Sequence, residues 1–289
     1  MSKRIRTLLL SLVCLTLNSA VARSSEDFLI FPETLMQSTF KLEANGTLGT
    51  GFILGHWLST KQGYARFILV TANHVLEGFK ADFATIHFRK KLGSTFAPLP
   101  YQMGIRKNGT PLWKASSDVD VAVLEIGIPD EANIRSIDVV NTSFLATDED
   151  LVHFRVRPGD ELLVLGYPHG AVGSVGGFPV LRSGRIASYP IVPTSVTMSF
   201  LLDFEVFPGN SGGPVFLSEG FRRLTNGQGQ ARFLAGIVTQ QMSYLHKDQA
   251  QVTQDRLALA VVVHASHIRN LIERLFPEDP IRRGGRDDE

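Results

Sequence analysis

The sequence predicts an all-β protein, a sandwich or a barrel, and two observations carry that reading. Short runs rich in Val, Ile, Phe and Thr recur along the chain, each closed by Gly, Pro or Asn. Apolar residues fall at helical intervals only once, near the end. The 289 residues suffice for one large domain or two small ones, and 44% hydrophobic with 20% charged residues is an ordinary globular composition.

In chain order, the first 22 residues stand apart. Lys3, Arg4 and Arg6 precede the apolar run TLLLSLVCLTL, and Ala20-Val21-Ala22 follows. A basic head, a short apolar stretch and small residues predict a secretory signal peptide over residues 1–22, cut after Ala22. The run is too short for a comfortable span, and no later segment is long and apolar enough to be an anchor. Removing three positive charges takes the formal charge from +1 to about −2, which gives no case for nucleic-acid binding. The only cysteine, Cys14, leaves with this segment. The mature chain is therefore expected to have no disulfide and no thiol nucleophile, and to be secreted or periplasmic in a bacterial envelope.

Strand runs then follow at GTGFIL (49–54), ARFILVTA (65–72), DVAVLEI (120–126), ELLVLGY (161–167), VTMSFLLDFEV (196–206), GPVFL (213–217), FLAGIVTQ (233–240) and LALAVVV (257–263). Polar turn signals in TDED and RPGDE place a boundary near residue 147, giving units over 23–147 and 148–276. Ile268, Leu271, Ile272 and Leu275 give HASHIRNLIERLF (264–276) a helical period that Pro277 ends, and 277–289 reads as a frayed tail. Asn45, Asn108 and Asn141 begin N-x-S/T strings; the first two, followed by Gly, read as hairpin turns rather than glycosylation sites.

The chemistry centres on FPGNSGGPVF (207–216). Glycines let the backbone take unusual angles or approach another group closely, so Ser211 can present its hydroxyl with neighbouring N–H groups free to face a substrate. A serine hydroxyl is a weak nucleophile near neutrality and needs a base; His74, leaving the apolar strand in LVTANHVL, suits that role. A buried acid should orient the imidazole, and DVDVAVLEI offers Asp118 and Asp120 at the mouth of an apolar strand, two residues apart and so on one strand face.

Taken in order, GTGFIL, LVTANHV, DVAVLEI, GNSGGPV and AGIVTQ resemble the trypsin/chymotrypsin-fold serine proteases, most nearly the disulfide-free bacterial HtrA/Deg branch, over residues 45–275. The resemblance implies two six-stranded Greek-key β-barrels with a C-terminal helix, a cleft between them, and His74, Asp120 and Ser211 as base, acid and nucleophile. It implies an oxyanion hole from the Gly209 and Ser211 N–H groups. It favours Asp120 over Asp118, because the family's acid directly precedes the apolar core of the strand. Its specificity pocket is walled by the strand before the nucleophile and by GIVTQQ (236–241), which makes Glu205, Thr239 and Gln240 substrate-binding candidates. Asp203 matches an acid that the bacterial branch carries without basic selectivity, so Glu205 is expected to face solvent and the residue before the cut to be small or medium and apolar. Unlike most HtrA proteins, the chain is expected to lack a PDZ domain.

The function so implied is serine endopeptidase activity on polypeptide substrates, with no cofactor and with an oligomer possible; the alternative is a protease-fold peptide or envelope-protein binder. No zinc spacing or HExxH string occurs, and AVGSVGG (171–177) follows no phosphate-loop pattern. His169 in GYPHG reads as a loop-shaping residue. Asn210 stands where zymogen-activated members carry an aspartate that buries a new N-terminal ammonium. A neutral amide cannot compensate a buried cation, so it is expected to hold the loop by neutral hydrogen bonds.

Overall fold

The computed structural model describes residues 31–58, 65–135, 138–247 and 252–281. The expected signal peptide, Cys14 and residues 282–289 lie outside the described residues.

The first half is a β-sheet built from β1 (Thr39–Ala44), β2 (Thr47–Trp57), β3 (Ala65–Thr71), β4 (Phe83–Leu92), β5 (Thr95–Gly104), β8 (Lys114–Ala115) and β9 (Ala122–Ile126). Their order is β5-β4-β1-β2-β3-β9-β8, and β10 (Val140–Asn141) adds to β2 in parallel. A two-residue turn, Asn45-Gly46 with φ of 49° and 76°, joins β1 to β2 as the Asn-Gly pair predicts. Phe40, Leu42, Phe52, Leu54, Ile68, Val70, Ile86 and Phe88 fill its interior.

The second half pairs β11 (Glu161–Gly166), β12 (Val180–Ile186), β13 (Ser199–Asp203), β14 (Pro214–Leu224), β15 (Gly227–Lys247) and β16 (Val252–His264) into a closed barrel, order β11-β12-β13-β16-β15-β14. Six strands therefore close here, whereas the ladder of the first half stays open between β5 and β8. The chain between those two strands folds back on itself as a separate hairpin, β6 (Arg106–Lys107) with β7 (Thr110–Pro111), around Asn108-Gly109. Ile105 and Arg106 both donate to the Asp82 carbonyl instead of continuing a strand pair.

Among the described residues five α-helices accompany the sheets. Helix α1 (31–38), which no apolar period announces, lays Phe31 against Phe144 and Phe216 and buries Leu35. Helix α2 (Asn73–Gly78) follows β3, and α3 (Asp148–His153) begins with a capping box between Thr147 and Asp150. The single turn α4 (Thr194–Thr197) occupies the start of the predicted 196–206 strand, which shortens to β13. Helix α5 (Ala265–Leu275) is the predicted C-terminal helix and contacts β8 and β9 of the first half as well as β15 and β16. The chain beyond it is held as far as Ile281: Asp279 and Ile281 are buried, and Arg269 donates to the Ile281 carbonyl at 2.7 Å.

Candidate functional site

The register of one strand pair brings the candidate base and acid together. β3 and β9 run antiparallel with Thr71 opposite Ala122, so continuing that register sets residues 73–74 beside residue 120. Ala72 ends the strand as the N-cap of α2 and puts His74 in the first helical turn. The His74 N–H donates to Asp120 Oδ1 at 2.9 Å, and His74 Nδ1 meets Asp120 Oδ2 at 2.6 Å. Burial pushes the Asp120 pKa up, but the hydrogen bonds from the His74 ring and backbone and from the Asn73 N–H outweigh it. They hold the carboxyl below the usual aspartate range. Asn73 is fixed in turn by the indole N–H of the buried Trp113, 2.9 Å from its Oδ1. Asp118 is exposed on a bend, and among the described residues its carboxylate accepts only from the neighbouring Ser117 hydroxyl. The two acids do not share a strand face, because the chain is not extended there.

Ser211 is delivered by the second half. Its carbonyl accepts from the Thr50 N–H of β2 at 2.9 Å. Gly212, with φ of +86°, presses on the first half so closely that a Cβ would lie 2.0 Å from the Thr50 carbonyl and 3.1 Å from the Ala72 nitrogen. The loop around Ser211 is therefore seated two residues before His74. The Ser211 hydroxyl itself donates to the Thr239 carbonyl at 2.9 Å.

Three successive peptide groups of this loop are pinned by their carbonyls. The Pro208 oxygen accepts from the His169 N–H at 2.6 Å, Gly209 O from the Thr50 hydroxyl at 2.6 Å, and Asn210 O from the Gly213 N–H at 2.9 Å. In a trans peptide the N–H points opposite to the C=O, so the first and third bonds orient the Gly209 and Ser211 N–H groups. Neither N–H has a hydrogen-bond partner among the described residues. Asn210, 1% exposed, accepts the Phe207 N–H on Oδ1 at 2.9 Å, a neutral bond of the kind its identity predicts.

The specificity candidates separate. Glu205 is exposed, and among the described residues only its carbonyl is engaged, by Arg182. Thr239 is buried and supplies the carbonyl that holds Ser211, while Gln240 is exposed next to it at a bulge in the β15–β16 ladder. His169 acts through its backbone and leans on Phe207. Thr50, Thr71 and Tyr167 were not legible as site residues. Nothing but the short GTG string marked Thr50, yet it is fully buried and bridges the halves, with Thr71 Oγ1 donating to its carbonyl at 2.7 Å. Among the described residues no group of three or more His, Cys, Asp or Glu side chains is placed to hold a metal ion.

Residues 49–221 match the model of the trypsin-like peptidase domain family. No curated protein matches the chain. Solved structures similar to it include a scabies mite inactivated protease paralogue, 13% identical, covering 85% of this chain and 96% of that one at a TM-score of 0.51. Another is the Rv3671c protein of M. tuberculosis in an inactive form, 17% identical, covering 86% and 92% at a TM-score of 0.43.

Proposed function

The chain belongs to the trypsin-like peptidase domain family, and we propose that it is a serine endopeptidase working through an acyl-enzyme on Ser211. The observation that carries this reading is the His74–Asp120 contact of 2.6 Å. With Nδ1–H given to Asp120, the other ring nitrogen, Nε2, keeps a lone pair and serves as the base. Ser211 Oγ leaves Thr239 by a rotation about its Cα–Cβ bond, loses its proton to His74 and attacks the scissile carbonyl carbon. The Gly209 and Ser211 N–H groups take the developing oxyanion. His74 then protonates the departing amine, and water, activated by the same base, releases the acyl group and restores Ser211. Asp120 remains ionised throughout, stabilising the imidazolium. The substrates are polypeptides, met outside the cytoplasm if residues 1–22 act as the export signal they resemble. No helix among the described residues is long and apolar enough to cross a membrane.

The bond from the Ser211 hydroxyl to Thr239 favours a second reading, a protease-fold binder that grips peptides without turnover. A fluorophosphonate probe separates the two, since it reacts only with an activated serine. The expected result is labelling of the wild type and hydrolysis of casein, both lost in Ser211→Ala with the fold intact. Ser211→Ala retaining more than about a tenth of wild-type hydrolysis removes Ser211 from the mechanism. A folded wild type that binds peptides but takes no label selects the binder.

A further inference from the structure

Arg89, on β4 of the first half, is 5% exposed, and no carboxylate pairs with it among the described residues. Its guanidinium lies between the rings of Phe40 and Phe178, 4.4 Å from each centroid. Its hydrogen bonds all go to uncharged oxygens on separate pieces of chain. Nη2 donates to the carbonyls of Met36, Gln37 and Thr39, at the end of α1 and the start of β1, at 3.2, 2.6 and 2.9 Å. Nη1 donates to the Tyr167 hydroxyl oxygen and to the Gly177 carbonyl, both at 3.1 Å. A buried cation without a counter-ion is costly, and an apolar side chain of similar volume would serve packing as well. The position therefore asks what else the charge does.

Tyr167 leads from it to the oxyanion loop. The side chain is fully buried at the end of β11, and its hydroxyl stands within 3.1 Å of the Thr39 and Gly177 carbonyls. Its N–H donates to Thr50 Oγ1 at 3.2 Å, the same hydroxyl that holds the Gly209 carbonyl. Its carbonyl accepts from Gly170 at 2.8 Å and abuts Gly209 so closely that a Cβ there would lie 2.2 Å away. The turn that begins at Tyr167 also carries the His169 N–H that pins Pro208.

We infer that Arg89 and Tyr167 are positioning residues for the oxyanion hole: the guanidinium fixes Tyr167 against the first half, and Tyr167 fixes the peptide orientation of Gly209 through Thr50 and His169. Gly177 ties the glycine-rich 171–177 segment into the same anchor, so order in that segment and order in the hole rise and fall together. The role rests on the proteolytic reading for its kinetic consequence but not for its structural one, and the test has an arm for each.

The variant is Tyr167→Phe, which removes one hydroxyl and keeps the ring; Arg89→Lys, which keeps the charge but loses the fork, is the second. The kinetic arm compares kcat and KM on one peptide substrate, together with the rate of fluorophosphonate labelling. Tyr167→Phe is expected to lower kcat and the labelling rate about tenfold with KM changed less than about twofold, because donors aimed at the oxyanion act on the transition state. The second arm measures amide hydrogen exchange of the 207–213 segment, expected to quicken in both variants at Asn210, Gly212 and Gly213, whose N–H groups donate to the Phe207, Val238 and Asn210 carbonyls, while β4 exchanges as in the wild type. Folded variants with unchanged kcat, or with KM alone affected, overturn the kinetic role. Unchanged exchange at 207–213 overturns the positioning role even if the wild type proves to have no hydrolytic activity, the outcome that would instead overturn the proteolytic reading.

Discussion

The two halves hold their candidate site residues in different ways. In the first, His74 and Asp120 flank the adjoining ends of neighbouring strands β3 and β9 of one sheet. The β3–β9 register brings them side by side, so the proposed base and acid are positioned by the pairing that makes the sheet. In the second, Ser211 sits on a loop between β13 and β14 whose peptide groups have few strand partners. It takes its geometry from residues outside its own element, namely Thr50, His169 and Thr239. The difference places the proposed acid–base pair on the rigid side and makes the nucleophile and the oxyanion donors depend on the seam between the halves. A loop that carries function needs such external support, because loops order less well than the elements they connect.

The largest effect should come from breaking the assembled pair. Asp120→Asn keeps the size of the side chain but leaves an amide where the imidazole needs a carboxylate, favouring the wrong ring tautomer. A loss of about 10⁴ in kcat with a wild-type fold is expected, measured on a peptide substrate. Asp118→Asn should leave kcat within about twofold, since Asp118 is solvated. The reverse ranking would hand the acid role to Asp118 and dissolve the contrast between the halves.

A smaller effect should appear in stability on the second side. His264 ends β16, is 1% exposed, packs against Phe200, and neither ring nitrogen has a partner among the described residues. Its pKa is lowered from 6.5 to about 4, chiefly by burial and also by nearby His267, with Asp148 opposing. The folded state thus binds fewer protons than the unfolded one between those values. Its contribution is whole above pH 6.5 and is lost as pH falls toward 4, a destabilisation of about 3 kcal/mol for a shift of this size. Denaturant melts from pH 7 to 4 should show this acid loss in the wild type and a flatter profile in His264→Leu. His56 and His87 are also shifted down by burial and leave a residual slope of the same sign. Equal slopes in wild type and variant would mean that His264 does not carry the effect.

Legibility in the sequence followed the same division. The β-rich class and α5 were readable because apolar runs and turn residues report burial and chain reversal locally, whereas the closed second barrel came only with the family resemblance. Ser211 and His74 were readable as candidates because each lies in a string whose neighbours are constrained too: glycines that cannot carry a Cβ, small residues where the strand ends. Asp120 was set apart from Asp118 only by the family resemblance. The open ladder of the first half was not readable, since the hairpin at Asn108-Gly109 looks like any other turn until its flanks fail to pair with β5 and β8. Nor were Arg89 and Tyr167. Their importance lies in contacts across 78 residues of chain, and an arginine in FRKK looks like a solvated charge in sequence.

The smallest effect expected is at the specificity candidate nearest the proposed nucleophile along the chain. Glu205 lies six residues before Ser211, where an acid at the base of a pocket would select Arg or Lys before the cut. To do so its carboxylate would have to be enclosed, because an exposed carboxylate is screened and pairs weakly with an incoming cation. Glu205 is exposed, Asp203 beside it is exposed too, and the bond that holds the segment, from Arg182, goes to the Glu205 carbonyl and would survive loss of the charge. Glu205→Gln should therefore change the ratio of kcat/KM for Arg and Ala before the scissile bond by less than about twofold, well under the discrimination a buried pair supplies. Peptide-library profiling of the wild type should show small or medium apolar residues there. A strong Arg/Lys preference that Glu205→Gln abolishes would show that the side chain turns inward to meet substrate, and would move specificity as well as nucleophile onto the loop that depends on the seam.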